Sequence, residues 1–480
     1  MTVRCFHCRN YCYWLIAILV SALPVGVNAQ ERPNILFLFA DDQCFDTISA
    51  LGNQEVKTPN LDRLARRGVA FTNAYNMGGW NGAICVASRT MMNTGRFIWR
   101  AHALENDLAD VAAQRQFLSQ LMHDQGYETY FSGKWHVKID AEKIWDHVAH
   151  VRPGMPPTVE ASYQRPNDKD DWHPWDRELG GFWEGGKHWS EVLADDATSF
   201  FEQAQQSSKP FFMYLAFNAP HDPRQSPKEY VEMYDRSSIA IPANFLPENP
   251  YMEVMGAGKT LRDERLAPWP RTPEAVQLHR QEYFALITHM DAQIGRILSE
   301  LEDRGLADNT YIVLTADHGL ACGQHGLLGK QSMYEHSMKA PLLVVGPGVD
   351  ANKTIATPVY VQDFAATALD IAGIEKPNSF EFNSLLPIID GKMLEQYPEI
   401  YGAYETDLQR MIRVGDFKLI HYPGNDAYLL FNVVDDPGEL RDLGAEPEFA
   451  ELLAKLKVQL EVLMKKMDDP LLSKQATGSK

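Results

Sequence analysis

The sequence predicts an α/β fold: a large, mostly parallel sheet flanked by helices, with a smaller C-terminal α+β subdomain carrying an antiparallel sheet. Three observations predict it. Four continuous apolar runs each lead directly into charged or imidazole groups, the pattern of strands buried on both faces. Segments with helix start and stop signals lie between them. Beyond about residue 385 the texture changes to short runs around tight turns.

The first strand is Asn34 to Ala40, followed by Asp41-Asp42. Thr58-Pro59 then opens a helix with a cap and a proline at its first position, and Gly68 closes it. Tyr127 to Phe131 leads to Gly133-Lys134-Trp135-His136, and Phe211 to Phe217 leads to Asn218-Ala219-Pro220-His221. Thr272-Pro273 starts a long helix. Tyr283, Leu286, Ile287, Met290, Ile294, Ile297, Leu298 and Leu301 keep helical spacing along it, and Gly305 ends it. Tyr311 to Ala316 is the fourth strand, running into Asp317-His318-Gly319. Residues 145–189 hold five of the ten tryptophans without clear periodicity, which predicts a structured loop insertion, either packed on itself or lining a ligand cleft. Near the C-terminus, Met411 to Ile420 reads as a hairpin turning at Gly415-Asp416, Tyr428 to Val434 as a strand, and Glu448 to Leu463 as an amphipathic helix.

Composition narrows the function classes. Hydrophobic residues make up 45% and charged residues 23%, which excludes a disordered tail, a collagen-like fibre and a coiled coil. The formal net charge is −19, a poor match for nucleic acid or an anionic membrane as partner. Any anionic substrate needs a local cationic pocket working against that field. Residues 1–29 read as a secretory signal peptide: Arg4 and Arg9, an apolar run from Trp14 to Leu23, and Val27-Asn28-Ala29 before Gln30. The run is too short to span a bilayer. The expected location is secreted or periplasmic, free of the membrane once the signal is cleaved. Cys5, Cys8 and Cys12 leave with the signal, so Cys44, Cys85 and Cys322 are no disulfide framework. Two buried thiols at Cys44 and Cys322 are preferred to a disulfide between them.

In an open α/β sheet, ligands bind beyond the carboxyl ends of the strands. That rule gathers Asp41, Asp42, Lys134, His136, His221, Asp317 and His318 at one edge. Three carboxylates and an imidazole suit a divalent cation; the oxygens favour calcium or magnesium, while the imidazole also admits zinc or manganese. Lys134, Arg89 and Lys330 are cations able to hold an anion, and His136 and His221 are acid–base groups. His325 and His336 are expected to be structural.

Cys85-Val86-Ala87-Ser88-Arg89, followed by Thr94-Gly95-Arg96, resembles the signature of the formylglycine-dependent sulfatases, of alkaline phosphatase-like fold. The resemblance continues, in order, through Ala40-Asp41-Asp42, Gly133 to His136, Pro220-His221, Asp317-His318-Gly319, Gly329 to Glu335, Phe431-Asn432 and Asp436 to Glu439. It implies a catalytic domain over 30–385 and a subdomain over 386–480. It implies that Cys85 is oxidised to formylglycine by a maturation enzyme and hydrated to a geminal diol. Asp41, Asp42, Asp317, His318 and residue 85 would bind one calcium ion. Lys134 and Lys330 would hold the sulfate and Arg89 would orient the diol. One hydroxyl would attack sulfur, His221, with Lys330, would protonate the leaving alkoxide, and His136 would deprotonate the remaining hydroxyl so that sulfate is expelled. The substrate implied is a sulfated carbohydrate. The competing readings are a phosphonate or phosphate monoester hydrolase of the same fold, and a non-catalytic glycan-binding relative with unmodified Cys85. Intact Lys134, His136, His221 and Lys330 argue against the last. Ala87 stands where proline is commonest, Asn93 where Leu or Met is usual, and His318 where many relatives carry Asn. Trp99, Arg100, His173, Arg177 and Glu405 are the residues expected at the substrate rim.

Overall fold

The computed structural model describes residues 1, 2, 32–167, 169 and 171–473. The signal segment expected over 1–29 lies outside the described residues except for its first two. Thirteen strands matter to the site: β1 (Asn34–Ala40), β2 (Val69–Phe71), β3 (Gly78–Gly79), β4 (Glu128–Lys134), β5 (His147–Arg152), β6 (Phe211–Ala216), β7 (Thr310–Ala316), β8 (Leu342–Val345), β9 (Lys353–Ile355), β10 (Ile400–Tyr404), β11 (Gln409–Val414), β12 (Phe417–Tyr422) and β13 (Ala427–Asn432). The helices that matter are α1 (Pro59–Arg67), α2 (Ile84–Thr94), α3 (Trp189–Gln206), α4 (Pro273–Asp303), α5 (Asp363–Ile371) and α6 (Ala450–Lys466).

The main sheet has eight strands in the order β9-β2-β8-β7-β1-β6-β4-β5. From β7 to β5 every pairing is parallel, and β8 runs antiparallel to both its neighbours. The four expected strands are therefore four consecutive central ones. Ala40 pairs with Ala316, Phe39 with Ala216 and Gly133 with Ala216, so their C-terminal ends meet at one edge. Burial on both faces explains their unbroken apolar runs: Ile35 to Phe39 are each 0% exposed. Side chains alternate along β1. Phe37 stacks on Phe364 of α5 with centroids 3.7 Å apart, and Phe39 lies under Arg89 of α2. Leu36 and Leu38 face the opposite layer, where α1, α3 and α4 pack together.

The stretch expected to be a loop insertion is partly regular. Its residues His147–Arg152 form β5, the edge strand of the main sheet, paired in parallel with β4. Half-exposed edge strands lack the continuous apolar run that marks the central ones, so the strand left no signal in the sequence. Trp145 packs beside Phe131, Trp135 and Tyr214 in the core. Trp172, Trp183 and Trp189 lie under Arg165, Arg177 and Arg152.

The C-terminal hairpin and strand appear as β11, β12 and β13, and the last helix as α6. With β10 they form an antiparallel sheet whose fifth strand comes from far upstream: β3 pairs in parallel with β10. Buried ion pairs fasten this sheet to its surroundings. Arg410 donates to Asp469 at 2.6 and 2.7 Å, and Lys418 reaches Glu335 at 2.9 Å and also Glu439. Among the described residues no helix is long and apolar enough to cross a membrane.

Candidate active site

The parallel edge of the main sheet collects the chemistry. Asp41 and Asp42 follow β1, Lys134 ends β4 and His136 lies two residues beyond. His221 follows β6, and Asp317-His318 follow β7. Two of these residues sit in the left-handed region, Asp42 at φ 67° and His136 at φ 52°, backbone strain of the kind that gathers where side chains must be aimed. Gly133 has φ 101°, and a Cβ there would stand 1.8 Å from the Ala216 carbonyl oxygen. Only glycine lets β4 approach β6 so closely just before Lys134.

Cys85 enters from the other side, in the first turn of α2, and is 2% exposed. Its Sγ lies 3.4 Å from His136 Nδ1. Burial opposes ionisation of this thiol, but Lys134 and Lys330, with His136 and His318 beside it, hold it well below the ordinary cysteine value. One ligand atom each from Asp41, Cys85, Asp317 and His318 lies within 4.8 Å of the others. Asp42 sits slightly apart: its carboxylate takes Lys330 Nζ at 2.9 Å, and its Oδ1 is 3.4 Å from His318 Nε2. Lys134 Nζ donates to Asp41 Oδ2.

Arg89 of α2 lies over the Phe39 ring. It is fully buried, donates to Asp317 Oδ2 at 3.1 Å and to the Lys134 carbonyl at 2.8 Å, and so braces an acid and the β4 terminus together. Burial raises the Asp41 carboxyl well above the usual range, with Lys134 opposing and the neighbouring acids adding. Burial likewise raises Asp42 against Lys330 and His318. A dry cluster of three acids is costly without compensating charge.

The loop carrying Lys330 is clamped from below. Glu264 accepts the Gly329 N–H at 2.9 Å and the Leu328 N–H at 3.2 Å, and pairs with Arg271 at 2.6 Å. Gln331 Nε2 donates to Asp263 Oδ2 at 2.8 Å and to the Gly82 carbonyl at 3.0 Å. Gly329 sits tightly here: a Cβ would stand 2.6 Å from the Gln331 amide oxygen and 3.0 Å from both Asp263 and Glu264, so Gln331 would have to shift. His221 is held by its neighbour. Its Nδ1 donates to the Asp222 carbonyl at 2.7 Å, which turns Nε2 toward Asp42, 3.7 Å away. Burial, then Lys330, Lys134 and Arg262, holds this imidazole well below its ordinary value.

Above this floor lies a cavity of about 380 Å³. Cys85, His136, His221 and Lys330 line its base, and Gly82, Ala83, Gly154, Met155, Leu261, Arg262, Asp263 and Gln331 its walls. Arg262, Asp263 and Met155 were not legible in the sequence: Arg262 and Asp263 open a single short 3-10 turn (Asp263–Leu266) that has no periodic apolar pattern, and Met155 lies in a loop. None of the five residues expected at the substrate rim is among those lining this cavity. Trp99 is buried and donates to Tyr401 at 2.9 Å, and Arg100 pairs with Glu381 at 2.5 Å. His173 stacks on Trp175, Arg177 covers Trp183, and the Glu405 N–H donates to the Gly79 carbonyl at 2.8 Å. Cys44 and Cys322 are free and buried; burial pushes the Cys44 thiol up to about 12, so it stays protonated. His325 stacks on Tyr334, and Ser332 meets His336 at 3.3 Å; neither imidazole is among the residues that line the cavity.

A parallel sheet edge that presents acids, lysines and imidazoles around a buried cysteine fits a hydrolase of anionic esters, of alkaline phosphatase-like fold. The comparisons specify it. The family model "Sulfatase" matches residues 33–374, and "N-sulphoglucosamine sulphohydrolase, C-terminal" matches residues 323–466. The chain belongs to the sulfatase family and is a sulfuric ester hydrolase. It is 27% identical to an N-acetylglucosamine-6-O-sulfatase of Bacteroides thetaiotaomicron, over 95% of this chain and 91% of that one. It is 25% identical to an ulvan-active sulfatase of Formosa agariphila, over 92% of this chain and 83% of that one. Its fold is similar to that of BT4656 in complex with its substrate D-glucosamine-2-N,6-O-disulfate, at TM-score 0.71 and 24% identity, covering 92% of this chain and 99% of that one.

Proposed function

We propose that this sulfatase removes sulfate from a sugar, with residue 85 as formylglycine and one calcium ion held by Asp41, Asp42, Asp317, His318 and residue 85. The observation that carries the reading is the convergence on Cys85 of two lysines and two imidazoles from three separate segments, those of Lys134 and His136, His318, and Lys330. The sugar is supported by the names of the relatives at 27% and 25% identity.

The donor set fits a hard cation. His318 Nδ1 donates to the Gly319 carbonyl at 2.9 Å, leaving Nε2 facing Asp42 and Asp317 with no hydrogen-bond partner. Asp41 Oδ1 is equally buried and without a hydrogen bond. An imidazole lone pair aimed at carboxylates is stable only with a proton or a metal between them. When bound, the ion supplies positive charge that offsets a sulfate oxygen. Hydrated formylglycine supplies an oxygen nucleophile that can afterwards shed sulfate without a water attacking an anion.

The remaining work falls to the chain. Lys134 and Lys330, paired with Asp41 and Asp42, bind the anion between them. His136, with Nδ1 beside residue 85, takes a proton from that side chain. His221, its Nδ1 tied to the Asp222 carbonyl, presents Nε2 to the departing sugar oxygen; bound sulfate offsets Lys330 and Lys134, which hold the ring neutral, and lets Nε2 take up the proton that it passes to that oxygen. The signal peptide and a secreted or periplasmic location belong to the same proposal.

The test is mass spectrometry of the tryptic peptide containing residue 85, from protein made in a host with the maturation enzyme, followed by a panel of sulfated sugars with calcium. Loss of the thiol, gain of an aldehyde and release of inorganic sulfate are the expected results. A free thiol in protein that still hydrolyses sulfate esters would overturn the nucleophile. An aldehyde-bearing enzyme inactive on every sugar would overturn the substrate.

A further inference from the structure

Two charged side chains line the cavity without a task in binding sulfate or moving protons: Arg262 and Asp263. Asp263 is the harder to explain. It is 4% exposed, and it puts a negative charge into a pocket that must admit an anion. Burial opposes that charge, but Arg262, Lys330 and Gln331 hold the carboxyl below the ordinary range, so it is a carboxylate and a pure acceptor. Gln331 donates to Oδ2 at 2.8 Å and Arg262 donates to Oδ1, so each oxygen keeps a lone pair. Arg262 remains 31% exposed on its side chain, with Nη1 on Asp222 Oδ2 at 2.8 Å and Nη2 3.5 Å from His221 Nε2.

The charge balance selects the kind of group this wall can meet. Arg262 is matched by two carboxylates, Asp222 and Asp263, so it holds no surplus positive charge for a second sulfate or a uronic carboxylate. What the pair does present is an acceptor and a donor side by side, next to Lys330 and His221. Small and apolar residues, Gly82, Ala83, Met155 and Leu261, complete the wall. Adjacent acceptor and donor beside an apolar surface suit a neutral, hydroxylated ring.

Resting on the proposed sugar sulfatase activity, we propose that Asp263 and Arg262 determine specificity: Asp263 accepts a hydrogen bond from a free hydroxyl on the ring bearing the sulfate, and Arg262 donates to an oxygen of that ring. The ring is one whose neighbouring substituent is a hydroxyl and not a second anion.

The experiment compares kcat/KM of the wild type, Asp263→Ala, Asp263→Asn and Arg262→Lys on three probes. They are monosulfated hexoses and N-acetylhexosamines, deoxy analogues of the best of these lacking each free hydroxyl in turn, and 4-nitrophenyl sulfate, which has no hydroxyl. Sites built to bind a hydroxyl discriminate strongly against its loss. One deoxy analogue is expected to lower wild-type kcat/KM about 100-fold, and Asp263→Ala to lower it about 100-fold on the parent sugar. On that deoxy analogue and on 4-nitrophenyl sulfate, Asp263→Ala should stay within about threefold of wild type. Thermal unfolding verifies that each variant folds. Should Asp263→Ala fail that check, Asp263→Asn and Arg262→Lys carry the same comparison with a smaller selective loss. An equal loss on all three probes would overturn the proposal and make Asp263 a positioning residue acting on Lys330 through Gln331. No loss on any probe, or a preference for a second anionic group, would also overturn it. Wild type that cleaves 4-nitrophenyl sulfate and none of the sugars overturns the sugar reading itself, a separate result.

Discussion

Residue 85 is a buried side chain among cations, and single atoms there decide whether the site works. Cys85→Ala has no heteroatom on Cβ and cannot yield the proposed aldehyde, and activity should fall by roughly four orders of magnitude or more with the thermal transition unchanged. Measured turnover above that level would show that the modification is dispensable. Ala87 sits two positions on, in α2, where a proline would bias the unfolded segment toward extended backbone. Ala87→Pro is expected to raise the converted fraction, read by mass spectrometry of the same peptide. The three buried acids predict a metal dependence with a physical readout. Dialysis against chelator should lower the unfolding midpoint, and calcium at a hundredfold over its Kd should restore about 2.7 kcal/mol. No shift in the midpoint would count against a bound ion. At this scale the sequence was legible wherever a polar group directly followed an apolar run, as at Asp41, Lys134, His221 and Asp317. Asp263, Arg262 and Met155 were illegible because a short 3-10 turn and a loop, neither with a repeating apolar pattern, bring them to the cavity.

Strands and helices aim these groups. Gly133 illustrates how a central element depends on one missing methylene: its Cβ would press on the Ala216 carbonyl in the strand alongside. Gly133→Ala should cost about 1–3 kcal/mol and, by shifting Lys134, lower kcat/KM at least tenfold. A wild-type midpoint with wild-type activity would show that the sheet can part without moving the site. The central strands were legible as elements because burial on both faces demands an unbroken apolar run. The edge strand β5 was not, since its half-exposed residues show neither that run nor clean alternation. Helix α4 was legible to within two residues at either end, from its cap and its terminal glycine.

For the molecule, the small sheet is expected to be inseparable from the large one. Its strand β3 comes from the segment just before α2, and Lys418 bridges it to Glu335, close to the Lys330 loop. Residues 30–385 expressed alone should therefore show no cooperative unfolding and no sulfatase activity; a folded, active fragment would establish an autonomous catalytic domain. A boundary near 385 is visible as a change of texture, but the sequence carries no sign of a two-residue strand pairing with a partner more than three hundred residues away.

That pairing also acts as a clock. The ladder beside residue 85 closes only once Ile400–Tyr404 has been made, roughly 320 residues later. At about 5–20 residues per second, synthesis leaves the Cys85 segment without its final partner for roughly 16–64 s. The proposed maturation enzyme, if it needs the segment extended, would have that interval in which to act. Slowing or hastening translation between these two points should raise or lower the aldehyde content of the finished protein, even though no residue of the active site has changed.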